Sequence, residues 1–385
     1  MKEGWINKRF DEVFNLQMGK TPDRKNPKLF EGNNIWVTIR DLENKYIHTS
    51  SEFISDEAAT NMQIVKSGTV IMSFKLTVGK CAIAATDLYT NEAIMAFYPK
   101  DGYEINPSFL YYYLRHYKWE GMNKAVMGIT LNKASISKQL VSIPLLIDEQ
   151  EKIAAELDLL TDIIGKQKTQ LKELDTLASS IFYDVFGNPD TNEKGWGKKL
   201  LGDICAKKKD IQRAAKIYNK NDNILYIDIS SIDNIHNVMT SPTPYTFGEA
   251  PSRAQQVVIK NDVLISLVRP NLKNVAIVSM NEDNLVASSG FCVLRAKKGL
   301  TAEFLFFVVK MDSFTDYLMQ RVSGANYPAV REEDIKGYSS IVPPLSLQQS
   351  FAEKIEAIER QKANINASIA ETQKLFDYTM DKYFG

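Results

Sequence analysis

The stretch Glu149–Leu174, EQEKIAAELDLLTDIIGKQKTQLKEL, decides how the rest of the chain is read. It holds no proline, one glycine (Gly165) and an apolar residue at every third or fourth position, which predicts a helix. Alternating steps of four and three from Ile153 pass through Leu157, Leu160, Ile164, Gln167, Leu171, Leu174, Ala178, Ile181 and Val185. Nine of those ten are apolar, so the stripe is a coiled-coil seam, narrower than the face of a helix on a globular core. A long core helix is the plainer alternative. The polar exception, Gln167, sits mid-seam, where one buried polar residue fixes register.

A second helix matches the first. Adding 198 to each position gives Phe351, Ile355, Ile358, Lys362, Ile365, Ile369, Thr372, Phe376, Thr379 and Tyr383, seven of them apolar or aromatic. The entry segments also correspond, IPLLIDEQ at 143–150 and IVPPLSLQ at 341–348, and both helices end in Phe-Gly, at 186–187 and 384–385. An ungapped offset over 45 residues marks an internal repeat. Pro144, Pro343 and Pro344 stop the helices from running backwards, and Gly187 before Asn188-Pro189 is a stop.

The flanking blocks repeat more loosely. Each opens on Gly-Trp (GWINKRFDEV at 4–13, GWGKKLLGDI at 195–204). Each continues through a β-rich run, a strand–loop–strand (TVIMSFKLTVGKCAIA, DVLISLVRPNLKNVAIV) and an aromatic helix (PSFLYYYLRHY, AEFLFFVVKM). Each ends in a glycine loop, MGITLNKASI and SGANYPAVRE. The expected class is α+β: two similar α/β heads at 1–142 and 188–340, separated by helices at 143–187 and 341–385. If the seams pair, connectivity makes the helices antiparallel, with pseudo-twofold symmetry. Some 38 residues would span roughly 57 Å.

Composition narrows the function. The chain has 385 residues, balanced at 47 basic and 47 acidic, with 44% hydrophobic residues, enough for two or three cores. The balance is uneven along the chain. The heads carry 18 basic against 15 acidic and 20 against 17; the helical blocks carry 4 against 9 and 5 against 6. No apolar run of eighteen residues exists, so no membrane partner is expected. The charged N-terminus and the scattered Cys81, Cys205 and Cys292 fit a cytoplasmic protein without zinc or disulfides.

No catalytic constellation stands out. His48, His116 and His236 form no metal motif, and no Walker loop or GxGxxG is present. SPTPY at 241–245 faintly echoes an amino-methyltransferase tetrapeptide, but lacks a glycine-rich cofactor loop. Pro22-Asp23 with Glu43-Asn44-Lys45 has a metal-dependent nuclease spacing, which arises freely in a chain with 24% charged residues. Binding is better supported. The loop between the two apolar strands is cationic in both heads: Lys75, Thr77 and Lys80 in one, Arg269, Asn271, Lys273 and Asn274 in the other. Such side chains clamp phosphates and read guanine and adenine edges. Lys20, Thr21, Arg24, Lys25, Arg40, Lys207, Lys208, Lys209 and Arg213 are further candidates.

These segments together resemble the specificity subunits of Type I restriction-modification systems. The carriers are SIPLLIDEQEKIAAELD and SSIVPPLSLQQSFAEKIEAIERQK, the paired Gly-Trp openings, VLISLVRPNLKNVAIV, SGANYPAVREEDIKGY and the Phe-Gly helix ends. Leu146-Ile147 depart from the prolines usual there. The resemblance implies two target recognition domains, each reading half of a bipartite, non-palindromic site in double-stranded DNA. The helices would space the heads and dock methyltransferase subunits, two of them in the expected assembly. It places S-adenosylmethionine, ATP and magnesium on the methyltransferase and motor (restriction) subunits, leaving this chain without cofactor, metal or catalysis. A stand-alone nuclease and a helical adaptor that binds only proteins are the rival readings.

Overall fold

The computed structural model describes residues 4–120, 123–125, 128–234, 236–324 and 328–385, with side chains described outside 121–130. The glycine loops expected at 127–136 and 323–332 therefore lie partly outside the described residues. Two helices of 40 residues, Ile147–Phe186 and Leu345–Phe384, fulfil the periodic stretches. The first is closed by Gly187, whose φ of +72° an L side chain resists and whose N–H donates to the Tyr183 carbonyl at 2.8 Å.

The chain divides into two compact units, Met1–Lys168 with Ala367–Gly385, and Thr169–Asn366. Each helix contributes one part to each unit. In the first unit a five-stranded sheet runs in the order Phe14–Met18, Ile94–Pro99, Val70–Ser73, Cys81–Ala84, Tyr46–Ile47. All its neighbours are antiparallel except the last pair. A three-stranded sheet, Glu52–Ile54, Asn34–Val37 and Tyr89–Thr90, lies in the same unit. The apolar face of the larger sheet shares a core with the helix Pro107–His116 and with Ile153 and Leu157 of the long helix.

The second unit repeats the plan with different strand counts. Val275–Ile277, Val263–Ser266 and Phe291–Leu294 form an antiparallel sheet. Thr243–Thr246, Asn223–Ile227, Leu285–Ser288 and Ala254–Val257 form a mixed one. The aromatic helix is Ala302–Lys310. Both heads close in the same way. Trp5–Arg9 pairs antiparallel with Leu140–Pro144, and Lys198–Leu200 with Ser339–Ile341. The strand at 140–144 thus straddles the 142/143 division, because its ladder partner is the first strand of the head.

Within each unit the helices run antiparallel. In the first, Tyr383 donates to Glu156 at 2.7 Å and Gln167 donates to the Ser368 hydroxyl at 2.7 Å. In the second, Lys362 reaches Asp175 at 2.8 Å, and the Phe351 ring lies 5.2 Å from that of Phe186. As numbering rises along one helix it falls along the other. Ile153, Leu157, Leu160, Ile164, Leu171, Ala178, Phe351, Ile355 and Ile358 are buried; Leu174, Ile181, Ile365, Ile369 and Phe376 are half-buried. The polar interruptions differ: Gln167 Oε1 is buried without a hydrogen-bond partner among the described residues, whereas Lys362 is paired. Burial pushes the Lys362 ammonium down, but its bonds to Asp175 and Glu359 prevail and its pKa is raised. Near the end of the first helix the buried positions become Phe182 and Phe186, which the seam pattern did not include. Phe182 stacks on Phe304 and Phe307 at 5.8 and 5.6 Å.

The joint between helix and head is one glutamine, used twice. Gln150 and Gln348, 198 positions apart, are both fully buried. The Gln150 carbonyl accepts from Asn106 N–H (2.8 Å), and its amide donates to the Glu104 and Pro144 carbonyls (3.0 Å each). Gln348 does the same with Thr301 N–H (3.0 Å) and the Gly299 and Pro343 carbonyls (3.2 and 2.8 Å). Asn106 and Thr301 are the N-caps of the two aromatic helices, accepting from Phe109 and Phe304 N–H.

Candidate nucleic-acid interface

Each candidate loop joins two buried strands, so its ends are rigid. In the first head it runs from Phe74 to Lys80. Fully buried Ser73 accepts Lys80 N–H at 3.1 Å and donates to the Thr77 carbonyl. Gly79 N–H returns to the Ser73 carbonyl at 3.0 Å. In the second head Ser266 holds the corresponding place. It donates to the Val268 carbonyl at 2.9 Å and accepts Val268 N–H at 3.2 Å. Pro270–Leu272 then form a short 3-10 turn.

The loops present fewer groups than their composition promised. Thr77, Lys80, Arg269 and Asn271 are exposed and Lys75 is half-buried. Asn274 is 8% exposed, and its backbone carbonyl belongs to the strand pair, accepting from Ser266 N–H at 2.9 Å. Lys273 is half-buried, and its ammonium donates to Asp312 (2.5 Å) and to the Lys310 carbonyl (3.2 Å). Elsewhere Lys20, Lys25, Arg40, Lys207, Lys209 and Arg213 are exposed. Thr21 is bonded to Glu92, and Arg24 is paired with Glu52 at 2.5 Å and lies over the Phe30 ring. Lys208 pairs with Glu332 at 2.7 Å. Burial raises the pKa of the Glu332 carboxyl, but the hydrogen bonds from Lys208 and Lys336 prevail and hold it below its ordinary range.

Composition did not single out several polar side chains that the second head brings together. Gln212, Gln255, Gln256 and Ser289 line a cleft of about 160 Å³ with the candidates Lys208 and Arg213 and with Glu332. They come from distant segments, so no local signal marked them. Leu76, 53% exposed in the same loop as Lys75 and Lys80, is apolar, so a search for cations and hydrogen-bonding side chains does not mark it.

Two members of the nuclease set have other partners. Lys45 is bonded to Asp158 of the long helix and lies over the Tyr112 ring. The Asp23 carboxylate accepts Lys25 N–H at 3.0 Å. Among the described residues no group of three or more His, Cys, Asp or Glu could hold a metal ion. His236 pairs with Asp233, and His116 lies 3.1 Å from Asp381. All three cysteines are buried free thiols, and burial pushes that of Cys205 up to about 12. No helix among the described residues is long and apolar enough to cross a membrane.

A chain built twice over, with one loop-bearing head and one length of helix per half, is a tandem recognition protein. It belongs to the type I restriction modification DNA specificity domain family, whose model matches residues 2–175 and again 193–373. It is 24% identical over 410 residues to the type I restriction enzyme MjaIX specificity subunit of Methanocaldococcus jannaschii, covering 98% of this chain and 92% of that one. It is 23% identical over 180 residues to the HindI specificity subunit of Haemophilus influenzae, covering 46% of this chain and 38% of that one. Among solved structures, the type I restriction-modification S subunit from M. genitalium has the same fold. Its TM-score is 0.58 at 13% identity, covering 99% of this chain and 96% of that one. A chain from a study of assembly and conformational transition in the type I system also has a TM-score of 0.58, at 19% identity, covering 100% and 98%.

Proposed function

We propose that the chain is the DNA-reading specificity subunit of a type I restriction-modification complex, each head reading one half of a bipartite, non-palindromic site. The observation that carries this reading is the duplication: one chain matches the DNA specificity family twice, and each copy ends on a helix joined to its head by the same buried glutamine. The two heads differ in their loops, so the half-sites differ. Lys75, Thr77, Lys80, Arg269 and Asn271 are the loop contacts, with Lys20, Arg40, Lys207, Lys209 and Arg213 on the phosphates. Thr21, Arg24 and Lys208 can join them only by leaving their carboxylate partners.

The chemistry resides on other subunits. Two methyltransferase subunits dock on the helices, and motor subunits complete the restriction complex; S-adenosylmethionine, ATP and magnesium belong to those partners. Exposed apolar side chains on the helices support the docking. Leu159, Leu375 and Tyr378 are exposed in the first unit, and Leu177 and Tyr183 in the second; Leu177 and Leu375 are repeat equivalents. Nothing in this reading requires a membrane, and the chain works in the cytoplasm beside the DNA.

The test is to express the chain with its methyltransferase partner and map methylated adenines. The expected result is a two-part motif with an unread spacer, the half-sites about one helical turn, roughly 34 Å, apart. Methylation without sequence preference, or at one continuous motif, overturns the reading.

A further inference from the structure

The loops share a backbone feature that their sequences hide. Three residues after the buried serine, each chain turns into the left-handed region at a residue that is not glycine: Leu76 has φ +65° and Arg269 has φ +51°. Each loop makes a second left-handed turn before the returning strand, at Gly79 (+89°) and Lys273 (+49°). Around Leu76 the chain closes in three residues, with Thr77 N–H donating to the Lys75 carbonyl at 2.7 Å. A three-residue turn with positive φ at its centre is the rare, strained form. In the second head, Arg269 N–H donates to the Pro328 carbonyl at 2.7 Å, and Leu272 N–H returns to the Arg269 carbonyl at 2.9 Å.

Left-handed backbone disfavours branched or long side chains, and turns normally place glycine or asparagine there. Burying the side chain could offset that strain, but both side chains are exposed. Strain kept at one equivalent position in two diverged loops, at exposed side chains, points to a functional use of that position. The rigid serine base then holds that position fixed relative to the sheet.

We propose that this position reads a base in each half-site: Leu76 packs on the 5-methyl group of a thymine, and Arg269 donates to O6 and N7 of a guanine. The inference rests on the reading of the heads as DNA-binding domains and adds which residue selects which base. The chemistry leaves little choice. A leucine makes no hydrogen bond, and the apolar feature on a base edge in the major groove is the thymine methyl; the commonest partner of an arginine there is guanine. The flanking Lys75 and Lys80 hold phosphates, which position the loop without choosing sequence.

The test uses the methyltransferase complex and two readouts. First, methylated motifs are mapped for wild type, Leu76→Arg and Arg269→Leu. Leu76→Arg is expected to replace thymine by guanine at one position of the first half-site, with a preference of about five-fold or more, leaving the second half-site intact. Arg269→Leu is expected to lose one guanine from the second half-site alone. Second, each thymine of the first half-site is replaced in turn by deoxyuridine in a binding duplex. One replacement should weaken wild-type binding about four-fold, the worth of one buried methyl group. Leu76→Asn, which accepts the left-handed backbone, should be indifferent to that replacement. Unchanged motifs in both swaps at wild-type methylation levels overturn the proposal, as does a duplex series in which no thymine methyl matters. A Leu76→Asn complex that bends DNA less but keeps its motif also overturns it, in favour of a wedge. A wild-type complex that methylates without sequence preference removes the underlying DNA-reading function, and this proposal with it.

Discussion

Replacing Gln348 by methionine should damage the second unit far more than a surface change could. Methionine fills nearly the same volume but makes none of the three hydrogen bonds. Thr301 N–H and the Gly299 and Pro343 carbonyls would lose their partner in a part-buried to buried setting. At about 1 kcal/mol per bond the net loss is about 3 kcal/mol. If the stranded groups stay dry, each costs about 1–3 kcal/mol and the loss approaches about 6 kcal/mol. Stability of a domain is typically about 5–15 kcal/mol, so the variant sits near its limit.

The four tryptophans allow each unit to be followed separately. Trp5, Trp36 and Trp119 lie in the first unit and Trp196 in the second. Fluorotryptophan labelling gives one NMR signal from the second unit, and its urea midpoint should fall by about 1.5–3 M at a slope of about 2 kcal/mol per M. Gln348→Glu should be at least as harmful, since its carboxylate would face two carbonyl oxygens. Gln150→Met should lower the midpoints of the other three signals by a similar amount. A Gln348→Met shift equivalent to less than about 1 kcal/mol would refute the joint as a structural element.

Leu160→Asp or Leu171→Asp puts a carboxylate among seam neighbours and should cost about 3–5 kcal/mol, read as lost helicity by circular dichroism; unchanged helicity and assembly would count against the pairing. Lys362→Met should cost little in urea titration, because the Asp175 and Glu359 carboxylates it leaves behind are half exposed and rehydrate, whereas Asp175→Ala should destabilise more by leaving the buried ammonium with Glu359 alone. Glu332, whose folded pKa lies below its ordinary 4.5, contributes stability above that value and loses it as pH falls through the folded value; Glu332→Gln should remove this component of acid unfolding below the ordinary carboxylate range. Lys80→Glu and Arg269→Glu should each weaken DNA binding, and Lys80→Ala should reduce the salt slope by about 0.9; Asn274→Ala, a buried position, should leave that slope unchanged.

The long helices could be read from sequence because a helical seam is a local code. Residues from Ile153 to Ala178 meet their partner through spacing alone, and the 198-residue offset names the partner. The pattern drifted at Phe182 and Phe186 because there the helix faces two neighbours. The aromatic helix at 302–310 draws those rings toward Phe304 and Phe307, a contact set by head folding and not by heptads. The same limit applies to charge. Lys273 looks free among its sequence neighbours, but Asp312, which holds it, arrives on a helix beginning 39 residues later.

The glutamine joint shows what a repeat contains beyond periodicity. Spacing predicts that residues 150 and 348 lie on equivalent helical turns, and the paired entry segments show that both are glutamine. What spacing leaves out is that the third partner set is the N-cap of another helix, whose own side chain is committed to Phe109 or Phe304 N–H. The cap residue therefore uses its side chain to start one helix while its backbone N–H is taken by the other. A head oriented through backbone groups tolerates wide change in its surface loops, because none of the three bonds depends on a head side chain. That is the physical condition under which one scaffold can carry Leu76 in one head and Arg269 in the other, and present different side chains with the same joint.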